Sequence, residues 1–133
     1  MNRIIKYGLV VVRDGKFLVN RKYNTSLFLM PGGKPEEYDK TVEDCLAREM
    51  VEEHGVGVIR DSVKYLGRFD DRASNEPDSI ISMELYTGEI RGEPKPGAEI
   101  EEQRWVGRHD DPGILSPIIR NKILPALIEN DLI

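Results

Sequence analysis

The segment 48-REMVEEHG-55 carries three glutamates, Glu49, Glu52 and Glu53, at spacings i, i+3 and i+4. On a helix this spacing brings all three carboxylates to one side of the cylinder, where each like-charge pair costs about 0.2–0.5 kcal/mol. The same acids stand at the C-terminal end of the helical pattern. There the macrodipole is negative and disfavours each anion by about 0.3–1 kcal/mol. Local rules broken together, without visible compensation, are expected at functional sites. The chemistry implied is the binding of a cation, whose charge offsets the repulsion.

The elements that must position these acids are readable in outline. The helix is expected to begin near Thr41, whose hydroxyl can cap it, with Asp44 three residues on in the manner of a capping box. It is expected to end at Gly55, a residue suited to the left-handed cap. Val42, Leu46 and Met50 recur every four residues and form the stripe that should face a sheet. The acidic stripe lies beside that face, which puts Glu49 and Glu53 at its rim, where a pocket wall would be.

Ahead of the helix, 4-IIKYGLVVVRDGKFLVNRKY-23 reads as two β-rich runs joined by the hairpin signal Asp14-Gly15. A third short run, 27-LFLM-30, is stopped by Pro31-Gly32-Gly33, read as a loop. Beyond the helix, 57–69 and 79–90 read as strands separated by the polar stretch 70–79, and 91-RGEPKPGAE-99 reads as a loop. The run 103-QRWVG-107 is a further short strand. Residues 116–133 form a closing helix with Pro117 in its first turn and Pro125 as a kink or break.

A chain of 133 residues with 39% hydrophobic content suffices for one domain, 1–133, with a real core. Its net charge of −5 argues against binding a nucleic-acid backbone or an anionic membrane surface. It does not exclude a small phosphorylated ligand, because a divalent metal inverts the local field. The single cysteine, Cys45, cannot form an internal disulfide and is read as an inert core thiol, which suggests a reducing, cytoplasmic setting. No apolar run is long enough for a membrane helix or a signal peptide, so a soluble, unprocessed chain is expected.

Pro31-Gly32-Gly33 followed by Arg48-Glu49-Met50-Val51-Glu52-Glu53-His54-Gly55-Val56 resembles the signature of the Nudix hydrolases, a glycine loop and then a helix reading Arg-Glu-apolar-any-Glu-Glu-any-Gly-apolar. The first half of the signature departs from the family pattern. Asp39-Lys40 stands where family members usually carry Gly-Glu, and 34-KPEEYDKT-41 is one residue longer than the common form. Asp39 or Glu37 is expected to take over part of the missing acid's role.

The resemblance implies an α/β (α+β) fold, an α/β/α sandwich around a mixed β-sheet, and a phosphoanhydride hydrolase that acts on a nucleoside diphosphate linked to another group. It implies magnesium as cofactor, with manganese as the alternative, since a hard ion in an oxygen shell neutralises phosphate before water attacks. By the same resemblance Glu52 and Glu53 are the central ligands, Glu49 a further ligand or the base, and the Gly33 carbonyl completes the shell. Arg48 orients a glutamate. One of Glu99, Glu101 and Glu102 joins the site, with Glu99 at the favoured spacing. No marker for ADP-ribose, dinucleoside polyphosphates or coenzyme A follows Gly55, which leans towards nucleoside triphosphates, oxidised ones included. Dimers are frequent in the family, so a homodimer is admitted.

Other residues divide between site and scaffold. Arg21, Lys22 and Arg68 are candidates for phosphate contact, although exposed cations are mostly solvated. Phe28, Tyr23 and Trp105 are candidates for stacking on a base, although packing is the more frequent fate of strand aromatics. His54 and His109 have no partner at a ligand spacing, which argues against a histidine zinc site. Two other classes stay open: a nucleotide-binding or regulatory module without turnover, suggested by Lys40, and a non-enzymatic acidic α/β protein.

Overall fold

The computed structural model describes residues 2–133. Strand β1 (Asn2–Val10) leads through Val11 into β2 (Val12–Arg13). Asp14 and Gly15, at φ of 51° and 75°, then return the chain into β3 (Lys16–Lys22). Positive φ at both central residues is the two-residue hairpin turn that Asp-Gly favours. The two long runs do not stay partners, however. β1 pairs in parallel with β6 (Ser79–Arg91), whereas β3 pairs antiparallel with β7 (Ile100–Val106). A mixed four-stranded sheet, β4-β1-β6-β5, therefore lies beside a three-stranded sheet, β2-β3-β7, where β4 is Gly32–Gly33 and β5 is Gly57–Arg72.

Strand alternation sorts the core into two layers. Leu9, Val11 and Leu18 face helix α1 (Val42–His54) and pack with Leu46, Met50 and Val56. Val10, Phe17 and Val19 face the opposite way, into a cluster with Ile118, Ile119, Ile123, Leu124 and Leu127 of the C-terminal helical segment. Helices thus cover both sides of the sheets, giving the α/β/α sandwich. Helix α1 has the expected bounds. Thr41 Oγ1 accepts from the Asp44 N–H at 3.1 Å, and Gly55 closes the helix at φ 64°.

Three local expectations are corrected. The run 27–30 is not a strand: Leu29 bridges Asn20 and Phe28 bridges Leu115, singly and on different partners. Its apolar pattern reflects burial of Phe28 and Met30, not a ladder. Gly32 and Gly33, expected as open loop, pair with Gly8 and Tyr7 at the edge of β1. Pro125 does not break the closing helix. A wider turn at Ile119–Ile123, in which the Leu124 N–H reaches back to the Ile119 carbonyl, leads into α2 (Leu124–Glu129) and absorbs the missing proline donor. Among the described residues no helix is long and apolar enough to cross a membrane.

Because Thr41 satisfies an otherwise unpartnered helix donor, Thr41→Ala should lower stability by about 1 kcal/mol. Urea unfolding should show a lower midpoint with an unchanged slope.

Candidate active site

Helix α1 ends against the short strand β4, and a cavity of about 280 Å³ opens where they meet. Gly33, Glu49, Glu53 and Glu99 line it together with Lys6, Lys22, Lys34 and Arg72. Its apolar wall comes from Leu29, Met30, Ile81, Met83 and Ile118.

Glu53 is the most enclosed of the acids, only 5% exposed. Its Oε1 accepts the Gly32 N–H at 3.0 Å. Burial pushes the carboxyl up to about 8, more than this hydrogen bond lowers it, and the charges of Glu49 and Glu99 push the same way. The contact demands glycine: Gly32 sits at φ 132°, and a Cβ there would fall on the Tyr7 carbonyl oxygen. Gly33 is constrained less strictly, since a Cβ there would come within 2.6 Å of Glu49 Oε1, the far end of a side chain that it would displace.

Glu49 is also raised, by burial first and then by Glu52 and Glu99, against the Arg48 guanidinium that lowers it. Arg48 Nη1 donates to Glu49 Oε1 at 2.9 Å. The rest of the guanidinium clasps Asp39, with Nε to Oδ1 at 3.2 Å and Nη2 to Oδ2 at 2.8 Å, and reaches the Lys34 carbonyl. Those hydrogen bonds hold the Asp39 carboxyl below the usual range. Of the two loop acids considered, Asp39 is therefore the one that engages Arg48, while Glu37 and Lys40 are exposed on the loop.

Glu52 lies farther out, its side chain 51% exposed and 3.6 Å from Arg48 Nη1, and it does not line the cavity. Of the three acids before Trp105, Glu99 does line it, 3.3 Å from Lys22 Nζ. Glu101 and Glu102 are held by Arg21 at 2.6 and 3.3 Å, and Glu102 also by Arg104.

Among the described residues, no three acidic, histidine or cysteine side chains are already gathered around one point. The donor set nevertheless fits a hard divalent ion. It consists of carboxylate oxygens and a nearby main chain, and burial with mutual repulsion leaves the carboxylates short of positive charge. Burial, followed by repulsion from Lys22, pulls the Lys6 ammonium below its ordinary range, with Glu76 opposing.

The sequence reading missed Lys6, Lys34, Arg72 and the apolar wall. The wall residues come from segments far apart in the chain, and no spacing rule joins them. Of the candidate phosphate contacts, Lys22 lines the cavity, whereas Arg21 is committed to Glu101 and Glu102, and Arg68 lies near Asp70 and Glu84. None of Phe28, Tyr23 or Trp105 lines the cavity. Phe28 is core and Trp105 packs beside α1 under Arg13. Cys45 is buried, and its thiol is pushed up to about 12. His54 is buried, with Nδ1 2.8 Å from Gln103 Oε1 and Nε2 3.0 Å from Asn20 Nδ2.

A family model described as NUDIX domain matches residues 4–121. Among solved structures, the chain resembles a MutT NUDIX hydrolase from Burkholderia pseudomallei, at 24% identity over 96% of this chain and 98% of that one, with a TM-score of 0.76. It also resembles the MutT protein from Methanosarcina mazei Go1, at 22% identity over 97% and 96%, with a TM-score of 0.76. A third similar structure is the NUDIX domain of Shewanella oneidensis NrtR complexed with ADP ribose, at 17% identity over 98% and 88%, with a TM-score of 0.71. These likenesses establish the fold. No curated protein matches the chain significantly.

The raised Glu53 carboxyl carries a pH signature. An acid whose folded-state pKa exceeds its unfolded value of 4.5 contributes stability that is lost as pH rises through about 8. His54, lowered from 6.5 by burial, acts in the opposite sense below pH 6.5. The clean window is thus about pH 6.5 to 8. In chelator-treated protein the urea midpoint should fall across that window, and Glu53→Gln should flatten the slope.

Proposed function

This chain belongs to the Nudix family, and on that premise we propose that it is a magnesium-dependent pyrophosphohydrolase acting on a nucleoside diphosphate derivative, with nucleoside triphosphates as the favoured class. The observation that carries the reading is the gathering of both charges in one cavity. Glu49, Glu53 and Glu99 line it together with Lys6, Lys22, Lys34 and Arg72, and among the described residues only Lys22 with Glu99 pairs directly between the two sets. A metal ion with a polyphosphate satisfies both.

In this reading Glu53, Glu52, Glu49, Glu99 and the Gly33 carbonyl hold the ion, with Glu52 reaching in from the solvent side. Magnesium, or manganese in its place, neutralises phosphate charge and lowers the pKa of a water when bound. The chain's own residues do the rest. Lys6, Lys22 and Lys34 hold phosphate oxygens. Glu49 is a further ligand or the base; as base its carboxylate takes the proton of the water that attacks phosphorus, while the bridging P–O bond breaks and its electron pair leaves with the departing phosphate. Arg48, fixed by Asp39, keeps Glu49 in place and does not contact substrate.

Beyond the phosphates, the Ser116 hydroxyl is enclosed, lines the cavity and has no hydrogen-bond partner among the described residues. A buried polar group without a partner costs about 1–3 kcal/mol. A polar atom of the substrate next to the apolar wall would relieve that cost.

A second reading, a nucleotide-binding module without turnover, is favoured by Lys40 in place of an acid and by the ungathered carboxylates. The experiment that decides is phosphate or pyrophosphate release from a nucleotide panel with and without magnesium. Metal-dependent turnover should appear and should fall by at least about 10-fold in Glu52→Gln, since even the residues that support metal ligands are worth about 10–100-fold. Binding without turnover of any compound would favour the module, and unaltered turnover in the mutant would remove this site assignment.

Ser116→Ala tests the substrate end. Removing one hydrogen bond worth about 1 kcal/mol should raise KM about fivefold and leave kcat nearly unchanged. Steady-state kinetics on the best nucleotide of the panel would show it.

A further inference from the structure

We propose that His54 and Gln103 are positioning residues, forming a buried strut that sets where Glu99 stands relative to Glu53. The inference rests on the reading of Glu99 as part of the hydrolase site.

The last carbonyls of a helix have no intrahelical partner. Here two of them are taken up by loop 92–99. Gly97 N–H donates to the Glu53 carbonyl at 2.9 Å, and Lys95 N–H to the His54 carbonyl at 3.0 Å. The approach is close, since a Cβ at Gly97 would stand 2.9 Å from the Glu52 carbonyl oxygen. Two residues further along is Glu99, whose own carbonyl accepts the Tyr23 N–H at 3.2 Å. The position of Glu99 against the helix acids is therefore transmitted through a short stretch of main chain.

What pins that stretch is the side chain of His54. Gln103 Nε2 donates to the Pro94 carbonyl at 2.7 Å. A carbonyl can only accept, so the amide orientation follows: Gln103 Oε1 faces His54 Nδ1, 2.8 Å away, and Nδ1 carries the hydrogen. On the far side of the ring, Nε2 meets Asn20, which itself lines the cavity. One fully buried imidazole thus joins α1, β3, β7 and the loop that carries Glu99. An apolar side chain would fill the same space without direction. A histidine with both nitrogens engaged fixes orientation, because each misplacement leaves a buried polar group unsatisfied.

The test is Gln103→Met, which removes both hydrogen bonds with little change in side-chain volume. In protein free of metal and nucleotide, amide exchange at Lys95 and Gly97 should accelerate about tenfold while Leu9 and Leu18 stay protected. The dissociation constant for Mn²⁺ by calorimetry should rise about tenfold in the otherwise unaltered chain. In a Glu99→Gln background the same substitution should change it by less than about twofold, since effects through a shared group do not add.

Unchanged exchange at Lys95 and Gly97, general loss of protection, equal weakening in both backgrounds, or no Mn²⁺ binding by the unaltered chain would each overturn the proposal. If Gln103→Met does not fold, Gln103→Glu takes its place, because it keeps the acceptor towards His54 and loses the donor towards Pro94. Failure of the hydrolase reading shows separately, as Mn²⁺ binding without turnover in the unaltered chain.

Discussion

The Glu53 carboxylate is the constraint from which the rest of the site follows. It is nearly enclosed, yet the Gly32 N–H is its hydrogen-bond donor, and an ionised carboxylate has room for about four. Placing it there requires the end of α1 to press against β4, which in turn requires glycine where a Cβ would strike the Tyr7 carbonyl. Gly55, in the left-handed conformation, then turns the chain away at once. The helix end, the two-residue strand and the loop that covers the last carbonyls are one arrangement around one under-satisfied anion.

The ordinary surface of the chain is neutralised pair by pair, as Arg13 with Glu93 and Arg60 with Asp44 show. The cavity is organised differently. Glu53 and Glu49 are pushed towards their neutral forms and Lys6 is pushed towards its own. Lys22 with Glu99 is a direct ion pair between the two sets. A buried carboxyl and a buried ammonium held towards their neutral forms are costly in the free protein. In the proposed reading a metal with a phosphorylated ligand offsets both costs.

Local chemistry was legible in the sequence, and long-range chemistry was not. Thr41, Gly55 and the Val42-Leu46-Met50 stripe define α1 within one helix's reach, and Asp14-Gly15 dictates its turn wherever the flanking strands go. The run 27-LFLM-30 misled because short apolar stretches look alike whether they fill a core or join a ladder. The pairing of Gly32-Gly33 with β1 depends on residues more than twenty positions away. Lys6 sits on a strand whose pattern does not mark it as part of a cavity. The partners of His54 are 34 and 49 residues distant, so no ligand spacing could have exposed them.

The departure in the loop before α1 has a physical consequence for how phosphates can be held. Asp39 occupies Arg48 through a two-point contact, and Glu49 and the Lys34 carbonyl take more of the guanidinium. An arginine so engaged cannot offer its fork to a ligand. Through Nη1 it holds Glu49 Oε1 at 2.9 Å. In the proposed reading Lys6, Lys22 and Lys34, with Arg72, then remain for the phosphates, and an ammonium acts as a point charge without the angular demands of a guanidinium. A clamp made mostly of ammonium groups recognises a chain of phosphates by charge and is tolerant of what is attached to it. In the proposed reading, selectivity therefore has to come from the rest of the lining, to which Ser116, Met30, Ile81 and Ile118 belong.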